Sequence, residues 1–478
     1  MINITFLFTP AWPQRILEGL NAINDFLWTY IIIVLLVACA VYFSWRTRGV
    51  QFRMLKEMIR IMAGKDRKDR KNKNGIGSFG AFAVSLSSRV GTGNLAGVAS
   101  AIFIGGPGSV FWMWIMALLG AATAFVEATL AQLYKKKGKD SFYGGPAYYM
   151  QTGLKRRWMG IVFAILITIT FGMANQVVQS NTLCDALANA LTIDKLWIGI
   201  ILTTATLAII FGGIRRITHF SSIVVPFMAV GYIILALYIM LTNLPALPSV
   251  FKLIIEEAFG MKAITGGTIG VAIMQGVKRG LFSNEAGEGS APNAAAIADT
   301  SHPIKQGLIQ ALGVFVDTLL ICSCTAFIIL ISGVYNNGTD GIILTTIAVE
   351  TQIGSWGKYF VTIAIFLFAY STIIANYFYG ETNIRFITSS KRAIKIFRLI
   401  TGATVMLGAM VGLQTAWSMV DLCMGLMTLF NLVAIFLLSD KVFKLLKNYT
   451  DQLKEGKEPI FEKEMMPDIQ NDIECWDK

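Results

Sequence analysis

The stretch "SLSSRVGTGNLAGVASAIFIGGPG", residues 85–108, is apolar enough for a bilayer, yet it carries Arg89 and then Gly91, Thr92, Gly93 and Asn94. Two glycines, a threonine and an asparagine are poor material for a helix interior; glycine alone costs about 1 kcal/mol against alanine. In hydrocarbon each unpaired backbone group is costly, so a helix broken here survives only if protein, water or ligand satisfies its freed N–H and C=O groups. A half-helix N-terminus offers N–H groups and partial positive charge, suited to a carboxylate. A half-helix C-terminus offers carbonyls, suited to Na+ or an ammonium. A zwitterionic amino acid needs both, so residues 91–94 read as an amino-acid site.

The rest of the chain supports a membrane setting. It has 478 residues, of which 55% are hydrophobic and 15% charged, with a mean hydropathy of +0.60. That composition predicts an all-α polytopic membrane protein. Apolar windows of about 20 residues give eleven expected spans, with cores at 26–45, 76–104, 109–134, 158–183, 196–214, 220–242, 264–298, 306–332, 357–384, 394–412 and 416–438. The net charge of +12 does not point to nucleic acid, because its bases are gathered in short loops. Eleven Lys/Arg fall in 46–75 and seven in 135–157, and seven Lys follow residue 438. The positive-inside rule then places the N-terminus outside and the C-terminus in the cytoplasm, as a multi-pass protein of the cell (inner) membrane. The basic cluster at Arg46, Arg48 and Arg53 follows the first apolar helix, so that helix reads as a span rather than a cleaved signal. Residues 50–63 read either as an amphipathic surface helix or as part of a solvated loop.

The spans at 76–104 and 264–298 are both long, glycine-rich and interrupted. They are first and sixth of the ten spans after the N-terminal helix. Five spans per unit is odd, so the second unit has the opposite orientation. That layout predicts an inverted-repeat transporter with its site at the paired breaks. The expected organisation is 1–75, N-terminal helix and basic loop; 76–242, first five-helix repeat; 243–438, second repeat; 439–478, charged tail.

The second break lies in "GVKRGLFSNEAGEGSAPNAAA", 276–296. Lys278, Arg279, Glu285 and Glu288 fall in or near the membrane, where a lone charge costs about 2.5–3.5 kcal/mol. Two bases beside two acids suggest pairing, as ion pairs closing one end of the pathway; direct ion coupling through Glu285 or Glu288 is the other reading. Arg89 belongs to the same gate or ion-pair group. Ser283 and Asn284 sit where they could face a ligand. Thr168, Gly172, Asn175, Gln179 and Thr182 recur at helical steps and form a polar stripe, in which Gln179 is a substrate candidate. In "YSTIIANYFYGE", 370–381, Thr372, Asn376 and Tyr379 share a face. The hydroxyls of Ser371 and Thr372, with the backbone at Val90 and Gly91, could complete a sodium shell of hard oxygens; back-bonding of the two hydroxyls to the preceding turn is the other reading. Two histidines, at 219 and 302, are too few for a histidine metal centre or an embedded catalytic pair, and the chain reads as no enzyme. The match of residues 91–96 to GxGxxA lacks a preceding strand, which excludes a dinucleotide site.

"GTGNLAGVASAIFIGGPGSVFWMW", "GGPAYYM", "RGLFSNEAGEGSAPNAAA" and "SHPIKQGL" together resemble the alanine or glycine:cation symporters, over about residues 75–440. The resemblance implies a LeuT-type fold of two inverted five-helix repeats with one extra N-terminal helix. It implies symport of a small neutral amino acid with Na+, or with H+ in some members, by alternating access, and no other cofactor. By this likeness Thr92, Gly93 and Asn94 would meet the substrate carboxylate, Gln179 would face them, and Thr372 would lie near the amino group or the ion. Asn376 stands where some relatives carry tryptophan. Alanine and glycine lead as expected substrates, and the smaller side chain brings glutamine, asparagine or serine into range. An amino-acid sensor on the same scaffold is the alternative from another class.

Overall fold

A computed structural model describes residues 12–64, 76–138, 141–260, 269–410 and 413–476. Among them, helices form nearly everything, because long apolar runs can satisfy their backbone only internally. The one ladder among the described residues is a two-residue hairpin, Lys136–Lys137 against Phe142–Tyr143. Among the described residues, seven helices are long and apolar enough to cross a membrane: Glu18–Arg46, Ser109–Leu133, Arg157–Leu191, Gly213–Thr242, Pro303–Ser332, Trp356–Ile387 and Trp417–Lys454. Shorter apolar helices occupy Gly93–Gly105, Lys195–Ile210 and Gly341–Ile353. Large apolar side chains such as Trp197, Phe227, Leu241 and Trp356 point outward and stay exposed, as lipid-facing positions do.

Several boundaries depart from the sequence expectation. The helix expected from 220 starts at Gly213, so Arg215 and Arg216 lie in its first turn rather than in a loop. The last helix runs Leu413–Lys454, straight through the position expected to begin the tail. Two helices, Leu247–Ala258 and Gly341–Ile353, stand where connections were expected. Residues 50–62 form two short helices, Val50–Arg53 and Leu55–Met62. The second packs on the Pro303–Val314 helix, burying Met58 and Ile61 while Leu55 and Ile59 stay exposed. Most of the basic run after Gly64, and the start of the expected 264–298 span, lie outside the described residues.

The two interrupted segments lie against each other. The first comprises Ser78–Arg89 and Val98–Gly105, joined through a π-helical turn at Gly93–Gly97. The second comprises Ile269–Asn284 and Ala291–Ala295. Ile76, which precedes the first, pairs with Ala298, which follows the second, and the Asp299 N–H donates to the Ile76 carbonyl at 2.8 Å.

Candidate functional site

The first helix stops at Val90, whose ψ of 84° leaves the helical region. Helix resumes at Thr92, whose φ of −62° and ψ of −24° are helical, so the unwound residues are Val90 and Gly91; Thr92, Gly93 and Asn94, expected within the break, open its second half. The freed donors are braced by side chains. The Gly91 N–H donates to Asn94 Oδ1 at 3.0 Å and the Thr92 N–H to Gln179 Oε1 at 3.0 Å. Gln179 is held by donating to Asn175 Oδ1 at 2.9 Å. Thr92 Oγ1 is buried without a partner. A side chain at Gly91 would strike Thr372 Oγ1 and lie 2.9 Å from Gln179 Oε1. At Gly93 a Cβ would stand 3.3 Å from the Ser283 Cα, so the two broken helices meet here with almost no space between backbones.

Opposite the break, the Trp356–Ile387 helix brings Ser371 and Thr372 to the end of the first half-helix. Thr372 Oγ1 lies 2.8 Å from the Ser87 carbonyl, 3.0 Å from that of Phe368 and 3.4 Å from that of Val90. Ser371 Oγ adds a contact to the Phe368 carbonyl at 3.0 Å. A hydroxyl has one proton, so it cannot serve three carbonyls at once. Two hydroxyl protons cannot cover three carbonyls, and the contacts to Phe368 are back-bonds to the preceding turn, so at least one carbonyl is left over beside the two hydroxyl oxygens, a set of hard oxygens that suits a monovalent cation. The Ser87 and Phe368 carbonyls were not expected from sequence, because a backbone oxygen leaves no residue signature.

The second break begins at Glu285 and extends to Ser290, later than the expected start near Arg279. Glu285, Gly287 and Gly289 have φ of 57°, 96° and 85°. The left-handed conformation is strained for glutamate. Its carboxylate is fixed by the hydroxyls of Ser290, at 2.6 Å, and of Ser88. Ser88 Oγ also lies 2.7 Å from Asn376 Oδ1, while Asn376 Nδ2 is buried and unpartnered. Glu127 closes the far side of the break, accepting from the Gly287 N–H at 3.2 Å and from Asn431 at 2.8 Å. Glu288 is fully buried with both oxygens unpartnered.

Asp317, in the π-helical turn Phe315–Cys322, joins the two breaks. It accepts from Asn94 Nδ2 at 2.7 Å and from Ser283 and Thr318 at 2.8 Å each. Asn284 donates to Thr318 at 3.1 Å. Sequence reading passed over Asp317, although a lone acid in an apolar span is a signal in itself.

The expected pairing of two bases with two glutamates is corrected. Lys278 and Arg279 lie within the Ile269–Asn284 helix and both reach Asp421, Arg279 at 2.8 Å and Lys278 at 3.6 Å. Glu285 and Glu288 point elsewhere because left-handed backbone follows Asn284. Arg89 donates to the Gln310 carbonyl at 3.1 Å; its Nε and Nη2 have no partner, and among the described residues it makes no ion pair with either glutamate. The polar stripe also divides. A π-helical turn at Thr170–Ala174 shifts the face of that helix. Thr168 bonds back to the Ala164 carbonyl at 2.7 Å and Gly172 abuts Phe397, leaving Asn175 and Gln179 at the break.

Two broken helices, backbone acceptors in surplus and buried unpartnered polar atoms between them define a secondary transporter of the broken-helix kind. The chain belongs to the sodium:alanine symporter family, which it matches over residues 14–463. The family is one of transporters, not enzymes. The chain is 50% identical over 465 residues to the probable sodium/glutamine symporter GlnT of Bacillus subtilis (strain 168), with 97% of each chain covered. It is 48% identical to the amino-acid carrier protein AlsT of the same strain, over 96% of this chain and 97% of that one. In fold it is similar to a solved Na+-coupled sialic acid symporter, with a TM-score of 0.54 and 15% identity over 86% of this chain and 87% of that one.

Proposed function

We propose that the protein imports a neutral amino acid together with Na+, with L-glutamine as its first substrate and alanine as its second. The observation that carries the coupling is the convergence of the Ser87, Val90 and Phe368 carbonyls on the Thr372 hydroxyl, with the Ser371 hydroxyl beside them on the Phe368 carbonyl. Sodium there ties the end of the first half-helix to the Trp356–Ile387 helix. The substrate carboxylate then takes the first N–H groups of the Gly93–Gly105 helix and the unpartnered Thr92 hydroxyl. Asn376 favours glutamine over the alanine and glycine reading: its unpartnered Nδ2 donates to a side-chain amide carbonyl, and it is smaller than an indole. The 50% identity to a probable sodium/glutamine symporter supports the same order.

The reading includes eleven crossings, two inverted five-helix units at 76–242 and 243–438, an outside N-terminus and a cytoplasmic C-terminus. The crowding of Lys and Arg into alternate loops supports it, as do the matching places of the two breaks. Transport proceeds as the two broken helices rock against the rest of the bundle. The test is uptake of labelled L-glutamine into proteoliposomes under a sodium or a proton gradient, with alanine, glycine, serine and D-alanine as competitors. Sodium-driven uptake displaced best by glutamine and next by alanine is expected. Uptake driven by protons alone overturns the ion assignment, and displacement by glycine but not glutamine overturns the pocket.

A further inference from the structure

The Glu18–Arg46 helix packs along the Leu413–Lys454 helix. Tyr42 joins them, lying against Phe436 and Phe443 with ring centroids 5.1 Å and 6.2 Å apart. Where the first helix ends, the chain turns through Arg48 and Gly49, whose φ values of 55° and 63° are both left-handed. Glycine takes that conformation freely and arginine does not. The turn is fixed by the Thr47 hydroxyl, which donates to the Phe43 carbonyl at 2.6 Å, and by the Gly49 N–H, which donates to the Ser44 carbonyl at 2.7 Å. It sets Arg46, Arg48 and Arg53 on one side of a cleft of about 320 Å³, with Lys447 and Lys454 of the last helix on the other.

Five bases thus line the cleft against one acid, Asp451. Asp451 meets Lys454 at 3.2 Å, and Asp440 meets Arg46 at 3.3 Å, so five bases against two acids leave three positive charges in surplus. Arg46 also lies over the Phe443 ring at 4.8 Å, and Arg53 gives Nη2 to the Thr47 carbonyl at 3.3 Å. The side chains of Arg48 and Lys447 are exposed and have no partner among the described residues. Like charges gathered in one cleft repel, which favours an anion seated among them. Guanidinium forks match the oxygens of a phosphate. The surface beside the cleft narrows the choice. Just before it along the two helices, Val41, Trp45, Phe436 and Leu437 are exposed, and a tryptophan at the end of a span sits at the level of the lipid head groups. A soluble phosphate makes no use of that apolar strip. A phospholipid covers it with acyl chains while its phosphate lies among the bases, and the surplus charge selects an anionic head over a zwitterionic one.

We infer that this cleft binds the head group of an anionic phospholipid through Arg46, Arg48, Arg53, Lys447 and Lys454. The bound lipid pins the turn at Arg48 to the last helix. The inference rests on the two helices crossing a bilayer and not on sodium or the amino acid, so it stands or falls apart from the transport reading.

The test is native mass spectrometry of the purified full chain titrated with dioctanoyl phosphatidylglycerol, dioctanoyl phosphatidylcholine or glycerol phosphate. Wild type is expected to hold phosphatidylglycerol about tenfold more tightly than phosphatidylcholine. Arg48→Gln with Lys447→Gln is expected to weaken phosphatidylglycerol by about tenfold. Arg392→Gln with Lys395→Gln removes the same charge from exposed positions elsewhere and changes binding by less than about twofold. Arg48→Lys with Lys447→Arg keeps the charge and most of the binding, which separates a charge effect from a disturbed turn. Equal affinity for the two lipids, equal loss in the two glutamine pairs, no loss with Arg48→Gln and Lys447→Gln, or as large a loss in the charge-conserving pair overturns the inference. Glycerol phosphate binding as tightly as phosphatidylglycerol assigns the cleft to a soluble phosphate and overturns it as well.

Discussion

Gly91 has no room for a side chain: a Cβ would overlap Thr372 Oγ1 and crowd the Gln179 carbonyl that holds the Thr92 N–H. Gly91→Ala is therefore expected to abolish uptake while the protein still inserts and folds, measured as proteoliposome flux beside a melting curve; flux within twofold of wild type contradicts the site. Asn376 makes a separate prediction. Asn376→Trp fills the space beside Ser88 and is expected to exclude glutamine while sparing glycine in competition assays. Unchanged selectivity removes Asn376 from the pocket. At this scale much of the site was legible in sequence. Thr92, Asn94, Gln179, Ser371 and Thr372 announce themselves as polar groups in apolar spans, and the structure brings them around one break. The Ser87 and Phe368 carbonyls, which complete the acceptor set, belong to residues chosen for helix and packing, so no side chain marks them. Asp421 was missed as the partner of Arg279 because the two stand 142 positions apart, and only the packed bundle brings them together.

The broken helices are the elements on which the account turns. The sequence placed both breaks within a few residues because glycine, asparagine and charge interrupt an otherwise apolar run. It misjudged their ends: Asn94 already lies within the second half-helix, and Arg279 is still helical. Local composition weakens a helix over several residues, while the turn that opens is set by which backbone groups find partners. The 13-residue helix Gly341–Ile353 escaped notice for a plainer reason, being shorter than a window of about 20 residues. Asp317 ties the elements together through Asn94 on one and Ser283 on the other. Asp317→Asn removes one acceptor oxygen and sets an NH2 group against a donor. It is expected to cost about 1–3 kcal/mol and to lower Tm by a few degrees. In a double-mutant cycle with Ser283→Ala the two losses are expected to fall short of their sum; full additivity would mean that the bridge does not couple the breaks.

At the scale of the molecule, the chain after Lys454 turns back onto the end of the bundle. Phe461, Met466, Ile469, Ile473 and Trp476 are buried. The Phe461 N–H donates to the Ser301 carbonyl at 2.9 Å, and the Trp476 indole donates to the Leu133 carbonyl at 3.2 Å. Glu458 joins Arg60 at 2.8 Å to Lys305 at 2.7 Å. From sequence this segment reads only as a charged tail, since its apolar residues are spaced too widely to form a recognisable face. Truncation after Glu455 is expected to lower Tm by about 5 °C or more; an unchanged Tm contradicts docking. Burial pushes the Glu458 carboxyl up, but hydrogen bonds from Arg60 and Lys305 outweigh it and hold it below its usual range. Lys441 and Lys444 hold Asp468 down likewise. A carboxyl lowered in the folded state stabilises above its unfolded pKa and loses that contribution as pH falls through the lowered value. The tail is therefore expected to stay docked at neutral pH and loosen only in acid below the ordinary carboxylate range.

The central claim is that sodium binds at Thr372 and travels with the amino acid. It is tested most directly by measuring labelled sodium and labelled L-glutamine entering the same proteoliposomes, for wild type, Thr372→Ser and Thr372→Val. The account predicts linked entry of both labels in wild type, most of it kept by serine, which retains the oxygen, and at least about a tenfold loss of both with valine. Glutamine entry that proceeds without sodium, or that is equal in the valine variant, would contradict it.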